Sequence, residues 1–191
     1  MRIVAGEFRG RRLAALGKGD PGAHLRPTTD RVREALFNML AGGRFGEPFD
    51  GTRVLDLFAG TGALGLEALS RGAAHLTLVE NGRTGQRLIR ENLKTLGCAD
   101  RVRLIGADAT RLPAADAPCA LVFLDPPYGK GLGARALTAA RTAGWLAPDA
   151  LVVWEESAAQ PAPEGFTPLE TRAYGDTVVT LLSAPTGAAQ P

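Results

Sequence analysis

From Arg53 onward, short apolar runs alternate with amphipathic stretches of helical period, and this alternation restricts the fold more than any other feature of the chain. An apolar run followed by a helix-length segment is the pattern of a parallel strand and its crossover helix, so the alternation predicts an α/β sheet. Strands are predicted over residues 53–57, 75–80, 101–106, 119–124 and 151–155. Helices over 61–71, 83–96 and 132–143 fit between them. In the second, Leu88, Ile89, Leu93 and Leu96 share one face and Gly97 is placed to end it. Residues 166–172 and 176–182, joined through Tyr174-Gly175, predict a closing antiparallel hairpin.

Ahead of this pattern, Arg2-Ile3-Val4-Ala5 and Arg11-Arg12-Leu13-Ala14 predict two short strands around a turn at Phe8-Arg9-Gly10. Between 17 and 29 glycine and proline recur without periodicity, which predicts a mobile loop ending at Arg26-Pro27. A helix then begins, with Thr29 or Asp30 as its cap, Val32, Ala35, Leu36, Met39 and Leu40 on one face, and Gly42-Gly43 as its stop. Residues 183–191 read as a frayed tail. A chain of 191 residues, 45% hydrophobic, can bury one sizeable core and not two. The expected organisation is a basic hairpin and loop over 1–29, an α/β domain over 30–182 and the tail, acting as a monomer.

No apolar run approaches the roughly 20 residues needed to cross a bilayer, and the N-terminus breaks off before a signal-peptide core could form, so the expected location is the cytoplasm. Cys98 and Cys119 lack a paired or metal-ligand spacing, and His24 and His75 stand alone; neither a disulfide framework nor a metal site is indicated. Charge is uneven. Residues 1–33 hold eight cations against three anions, +5, while the remaining 158 residues sum to −3. A basic arm on a mildly acidic body suits a nucleic-acid partner, because Lys and Arg displace counterions along phosphates. It equally suits a solvated, solubilising charge run.

Two motifs carry chemistry. Gly60-Thr61-Gly62-Ala63-Leu64-Gly65 has the G-x-G-x-x-G form between a strand and a helix, with Glu80 twenty positions past Gly60 at the end of the next strand. The glycines alone fit any nucleotide-containing cofactor. Asp56, just ahead of the loop, would repel a pyrophosphate but attract the ammonium and sulfonium of S-adenosyl-L-methionine. Glu80 can accept both ribose hydroxyls. Asp108 is placed to accept from the adenine amine beside the backbone of Ala109, and Phe58 just ahead of the loop and Thr61 within it complete the expected cofactor contacts. Glu80 has a plainer reading as a helix-capping acid and Asp108 as a loop residue; with Asp56 and the glycines they line one edge of one sheet.

Asp125-Pro126-Pro127-Tyr128 directly follows the fourth strand, which puts it at the same carboxyl edge. An exocyclic base amine is a poor nucleophile because its lone pair is delocalised into the ring. The Asp125 carboxylate and the Pro126 carbonyl could each accept one N–H and localise that lone pair. The prolines stiffen these acceptors. Tyr128 could stack on an unstacked base, worth about 1–3 kcal/mol. The alternative is a proline-stiffened loop whose aromatic fills the core. Cys119 resembles the nucleophile of cytosine methylation, but it begins the strand that Asp125 follows, about 20 Å away at 3.3 Å per residue.

In these residues and their flanking segments the chain resembles the RsmD family, the 16S rRNA (guanine(966)-N(2))-methyltransferases. The resemblance lies in the Val54-to-Ala68 segment, in Asp125 to Tyr128, in Arg26-Pro27-Thr28-Thr29-Asp30-Arg31-Val32-Arg33-Glu34-Ala35-Leu36-Phe37-Asn38, and in the opening Arg2-to-Gly6 and Arg9-to-Leu13. It implies a class I methyltransferase, a Rossmann-like sheet of seven mostly parallel strands with a C-terminal antiparallel hairpin, preceded by a small β-hairpin and helix. It also implies 16S rRNA of the assembling small ribosomal subunit as partner. Carried over, it assigns the cofactor to Asp56, Gly60, Gly62, Glu80 and Asp108, and the target amine to Asp125 and Pro126. Arg2, Arg9, Arg11, Arg12, Arg26 and Arg31 are the expected RNA contacts. Asn81-Gly82-Arg83-Thr84-Gly85 is more glycine-rich than the family pattern leads one to expect. Rival readings are an amino-methyltransferase of DNA adenine or protein glutamine, and a non-enzymatic RNA-binding assembly factor.

Overall fold

The computed structural model describes residues 1–15 and 30–187. Seven strands form one sheet: β1 (Arg53–Leu57), β2 (His75–Val79), β3 (Val102–Ile105), β4 (Cys119–Leu124), β5 (Leu146–Glu156), β6 (Thr167–Tyr174) and β7 (Thr177–Ser183). Their spatial order is β3-β2-β1-β4-β5-β7-β6. The first five pair in parallel, and β7 lies antiparallel between β5 and β6. This is the expected seven-stranded sheet with its closing hairpin. Because β1 continues outward to β2 on one side and borders β4 on the other, the loops after β1 and β4 diverge and leave a crevice at their carboxyl ends.

Four helices cover the sheet: α1 (Asp30–Leu40), α2 (Ala63–Ser70), α3 (Arg83–Leu96) and α4 (Leu132–Thr142). Strand alternation sorts the core into two layers. Val54, Leu76, Leu78, Leu121, Phe123 and Val153 pack with α1, α2 and α3. Leu55, Leu57, Val122, Leu124, Val152 and Trp154 pack with α4 on the opposite face. The same parity assigns Asp56, Glu80, Asp125 and Glu155 to the first face, each within one residue of the carboxyl end of its strand. Four carboxylates therefore converge at one corner of the crevice.

Several elements differ from the expectation in instructive ways. Helix α2 starts at Ala63, since Thr61 stays in the turn and Gly62 takes the left-handed cap position at φ 78°. Strand β5 starts at Leu146, five residues early. A register shift between Cys119 and Leu121 absorbs the irregular Pro148-Asp149 stretch, where Asp149 has φ 56°. On α1, Arg33, Leu36, Phe37 and Leu40 are fully buried, while Val32, Ala35 and Met39 are half-buried. The stripe is rotated because Phe37 finds Phe49 and Phe123 at ring-centroid distances of 5.5 and 5.4 Å, and because the buried Glu67 draws Arg33 inward to 3.8 Å. At the other end of the chain, Ala184 is buried and donates its N–H to Ala150 O, so order extends past Ser183.

The N-terminal residues form a strap rather than two strands. A single bridge joins Arg2 to Arg12, with Gly10 N donating to Ile3 O at 2.9 Å. Ile3, Phe8 and Leu13 are buried in the same layer as α2 and α3. Glycine is required at Gly6, where φ is 79° and a Cβ would stand 1.7 Å from Ser70 O. The expected loop over 17–29, its Arg26 and the Thr29 cap lie outside the described residues.

Candidate functional site

The loop after β1 is closed by Glu80. Its Oε2 accepts from Gly60 N at 2.8 Å and its Oε1 from Gly82 N at 2.6 Å, so one carboxylate joins the glycine loop to the start of α3. This explains the glycines of the 81–85 segment. A Cβ at Gly85 would lie 2.7 Å from Glu80 Cγ and 2.9 Å from Gly60 O, and one at Gly82 would lie 2.8 Å from Glu80 Oε1. Each carboxylate oxygen accepts more than one hydrogen bond, so Glu80 keeps acceptor capacity for two vicinal hydroxyls.

Asp56 lies beneath the loop, 2% exposed, with Oδ2 accepting from Gly65 N at 2.9 Å in the first turn of α2. Gly65 is small enough for this approach, since a Cβ there would be 3.0 Å from Asp56 Oδ2 and 2.5 Å from Leu76 Cδ1. Burial pushes the Asp56 carboxyl from 3.8 to about 7; the Gly65 N–H opposes this, and the charges of Glu80 and Glu155 reinforce it. Phe58 has φ 60°, a left-handed conformation that an aromatic residue rarely adopts. That turn breaks the strand alternation and packs Phe58 with the α4 layer. Thr61 is half-buried and Gly62 buried. Beyond β3, Asp108 is exposed, and its Oδ1 accepts from the N–H and the hydroxyl of Thr110, both at 2.8 Å, which hold it below the usual carboxylate range. Ala109 beside it is buried. The acceptor set suits a ligand with a cationic end near Asp56, a diol near Glu80 and an adenine near Asp108. It offers a pyrophosphate little, because Glu80 and Asp56 take the N–H groups of Gly60 and Gly65 and add negative charge.

Asp125 directly extends β4 beside Leu57, its N–H 3.5 Å from Leu57 O. It keeps part of its surface toward the crevice. Burial pushes its carboxyl well above the usual range, and Glu155, Asp56 and Glu156 push it further. Pro126 is buried and Pro127 exposed. Tyr128 is half-buried, with its hydroxyl hydrogen-bonded to Thr177 and raised above its ordinary range by burial. Glu156 secures the end of this loop, accepting from Gly129 N at 3.2 Å and Ser157 N at 2.9 Å. Cys119 is fully buried at the far end of β4, its thiol pushed up to about 11, which makes it inert.

The expected RNA contacts separate. Arg2, Arg9 and Arg12 on the strap and Arg31 on α1 are exposed. Arg11 is exposed but its guanidinium donates to Thr95 O on α3. Arg33, counted among the basic residues of the arm, is buried against Glu67 and presents no surface to a phosphate.

A family model described as Conserved hypothetical protein 95 matches residues 1–183. The chain belongs to this family. Ribosomal RNA small subunit methyltransferase D of Escherichia coli (strain K12) is 44% identical over 156 residues, 81% of this chain and 74% of that protein. The Haemophilus influenzae protein of the same name is 37% identical over 182 residues, 92% of this chain and 89% of its own. The solved structure of yhhF from Escherichia coli superposes with a TM-score of 0.80 at 36% identity, covering 98% of this chain and 99% of that one. The likeness to the RsmD family read from the motifs is thus borne out, as is the class I methyltransferase fold.

Within this member of the RsmD family, the acid that motif reading missed is Glu155. It is fully buried, and it is the β5 neighbour of Asp125, since Leu124 pairs with Trp154 one step earlier. The signal was present in the parity of the fifth strand, where Val153 and Glu155 alternate with Val152 and Trp154. Only the register makes it a partner of Asp125.

Proposed function

We propose that this chain transfers the methyl group of S-adenosyl-L-methionine to the N2 amine of a guanine in small-subunit rRNA, acting as a monomer in the cytoplasm on the assembling subunit. The observation that carries this reading is the placement of Asp125-Pro126-Pro127-Tyr128 at the β4 edge beside the Glu80-closed glycine loop, in a chain related to ribosomal RNA small subunit methyltransferases. The bound cofactor supplies an electrophilic methyl on a sulfonium.

The chain's own residues do the rest. Asp56 contributes buried negative charge toward the cationic end, Glu80 accepts from the ribose, and Asp108 with Ala109 meets the adenine. Asp125 and the Pro126 carbonyl each accept one N–H of the target amine, so that its lone pair turns toward the methyl group. A carboxylate whose proton affinity is raised by burial is a stronger acceptor than an exposed one, and it can take the proton that the methylated nitrogen releases. Tyr128 offers a ring face to the base. Arg2, Arg9, Arg12 and Arg31 hold phosphates, with Arg11 and Arg26 in the same set. The described surface has one exposed large hydrophobic residue, Leu169, which favours a monomer.

The test is transfer of labelled methyl groups to small-subunit particles, and in parallel to DNA and soluble protein, from a strain lacking this gene, followed by mapping. Label at a guanine N2 supports the reading. Label in DNA or protein assigns one of the rival amino-methyltransferases, and RNA binding without transfer assigns an assembly factor.

A further inference from the structure

The N-terminal strap holds the two helices that begin at the cofactor loop, and one side chain joins strap to loop. Helix α2 starts at the glycine loop, and its last turns grip the outgoing limb of the strap. Glu67 accepts from Val4 N at 2.8 Å and Ala5 N at 3.1 Å, while Ser70 accepts from Glu7 N at 2.7 Å and, through its hydroxyl, from Phe8 N at 2.9 Å. Helix α3 starts beside Glu80, and its later turns grip the returning limb. The Arg11 guanidinium donates to Thr95 O, and Asn92 Oδ1 accepts from Ala14 N at 2.6 Å.

The Asn92 amide also faces the other way. Its Nδ2 donates to Thr61 O at 2.9 Å, and Thr61 stands between Gly60 and Gly62, whose φ values are 57° and 78°. Two left-handed glycines need their intervening peptide groups held from both sides. Gly62 N donates to Ala59 O at 2.7 Å, and Asn92 holds the other side of that same peptide group through the Thr61 carbonyl. Asn92 is fully buried in the same stripe as Leu88, Ile89, Leu93 and Leu96, a setting where an amide is costly unless hydrogen-bonded. Its partners at Ala14 and Thr61 are 47 positions apart in the sequence, and this one side chain bridges them.

We infer that Asn92 is a positioning residue that couples the RNA-contacting strap to the cofactor loop, so that RNA held on the strap and cofactor held in the loop each tighten binding of the other. This rests on reading the exposed strap arginines as RNA contacts. A load on the strap acts on Ala14, Ala14 on the Asn92 amide, and the amide on the Thr61 carbonyl within the cofactor loop. Coupling of this kind is reciprocal by thermodynamic necessity.

The experiment uses the full chain and unmodified rRNA presented in small-subunit particles from a strain lacking the gene, with RNA affinity measured by co-sedimentation in the presence and absence of saturating S-adenosylhomocysteine. The parent is expected to bind RNA about fivefold or more tightly with the nucleoside present, a modest coupling. Asn92→Asp keeps an acceptor for Ala14 N and loses the donor to Thr61 O. Its ratio should fall to within about twofold of one, with RNA affinity in the absence of nucleoside and its salt slope unchanged. Ala14→Pro removes the short bond from Ala14 N to Asn92 Oδ1, leaving only the 3.5 Å contact from Asn92 Nδ2 to Ala14 O, without a change in α3 or the loop, and should give the same uncoupling if the buried aspartate impairs folding. A purely structural role would lower the melting temperature of either variant and leave the ratio at the parent's value, which overturns the inference. A parent that binds RNA with no dependence on the nucleoside overturns it too, while leaving the function intact. A parent with no RNA affinity at all overturns the functional reading itself, and the inference with it.

Discussion

Asp56→Asn separates two roles of one buried carboxylate, fastening the loop and presenting charge. In the folded chain this group ionises near 7, whereas in the unfolded chain it ionises near 3.8. Between those limits the folded state keeps a proton that the unfolded state has released, so its contribution to stability falls as pH rises; above about 7 the loss is complete and constant. At about 1.4 kcal/mol per pH unit, the interval corresponds to roughly 4 kcal/mol. Asparagine carries no charge at any pH, and its Oδ1 can still accept the Gly65 N–H. The variant should therefore exceed the parent in stability by a few kcal/mol at about pH 8, with the gap closing toward about pH 4. Relief of Asp125, which Asp56 helps to raise, acts in the same direction. Urea unfolding across that pH range measures the gap. Affinity for S-adenosyl-L-methionine should move the opposite way, because the variant has lost the negative charge that attracts the ligand. A gap of equal size at about pH 4.5 and about pH 8, or a variant less stable than the parent at about pH 8, refutes the assignment.

The remaining predictions concern the neighbouring groups. Asp125 faces Asp56 on β1, Glu155 and Glu156 on β5 and Tyr128 beyond its own strand; Glu155→Gln removes the largest of those charges, so Asp125 should ionise at lower pH and the rise of turnover with pH should shift to lower pH, with an unchanged profile refuting the pairing. Changing Arg2, Arg9 and Arg12 together to alanine should flatten the dependence of log K for RNA on log salt by roughly 0.7–0.9 per lost phosphate contact, with S-adenosylhomocysteine affinity retained within about twofold. Glu67→Ala removes the buried carboxylate facing the Arg33 guanidinium and releases Val4 and Ala5, and should lower unfolding free energy by about 3–5 kcal/mol, read by urea denaturation.

The crevice was legible because its determinants are local. Strand alternation, the glycine spacing and the residue following each apolar run place Asp56, Glu80 and Asp125 on one edge before any contact is known. Glu155 was not legible, because its role depends on the lateral register of β4 against β5, which no single strand encodes. The face of α1 was misjudged for a similar reason: apolar spacing favours Val32 and Met39, but the rings of Phe49 and Phe123 and the carboxylate of Glu67 select Phe37 and Arg33. The arginines of the strap predict a small basic hairpin and say nothing of how it is held. Its apolar residues Ile3, Phe8 and Leu13 decide that, since burying three such side chains fastens it to the domain. Likewise the glycines at 82 and 85 depart from pattern only until Glu80 is seen to occupy the space a Cβ would take.

The most direct test of the account is the single-turnover rate of methyl transfer to unmodified small-subunit particles by Asp125→Ala, measured beside its S-adenosylhomocysteine affinity by calorimetry. If Asp125 holds the target amine and the loop of Glu80 and Asp56 holds the cofactor, the rate should fall on the order of a hundredfold or more while the affinity stays within about twofold of the parent. Near-parental turnover in that variant, or a loss of affinity that accounts for the whole loss of rate, would contradict it.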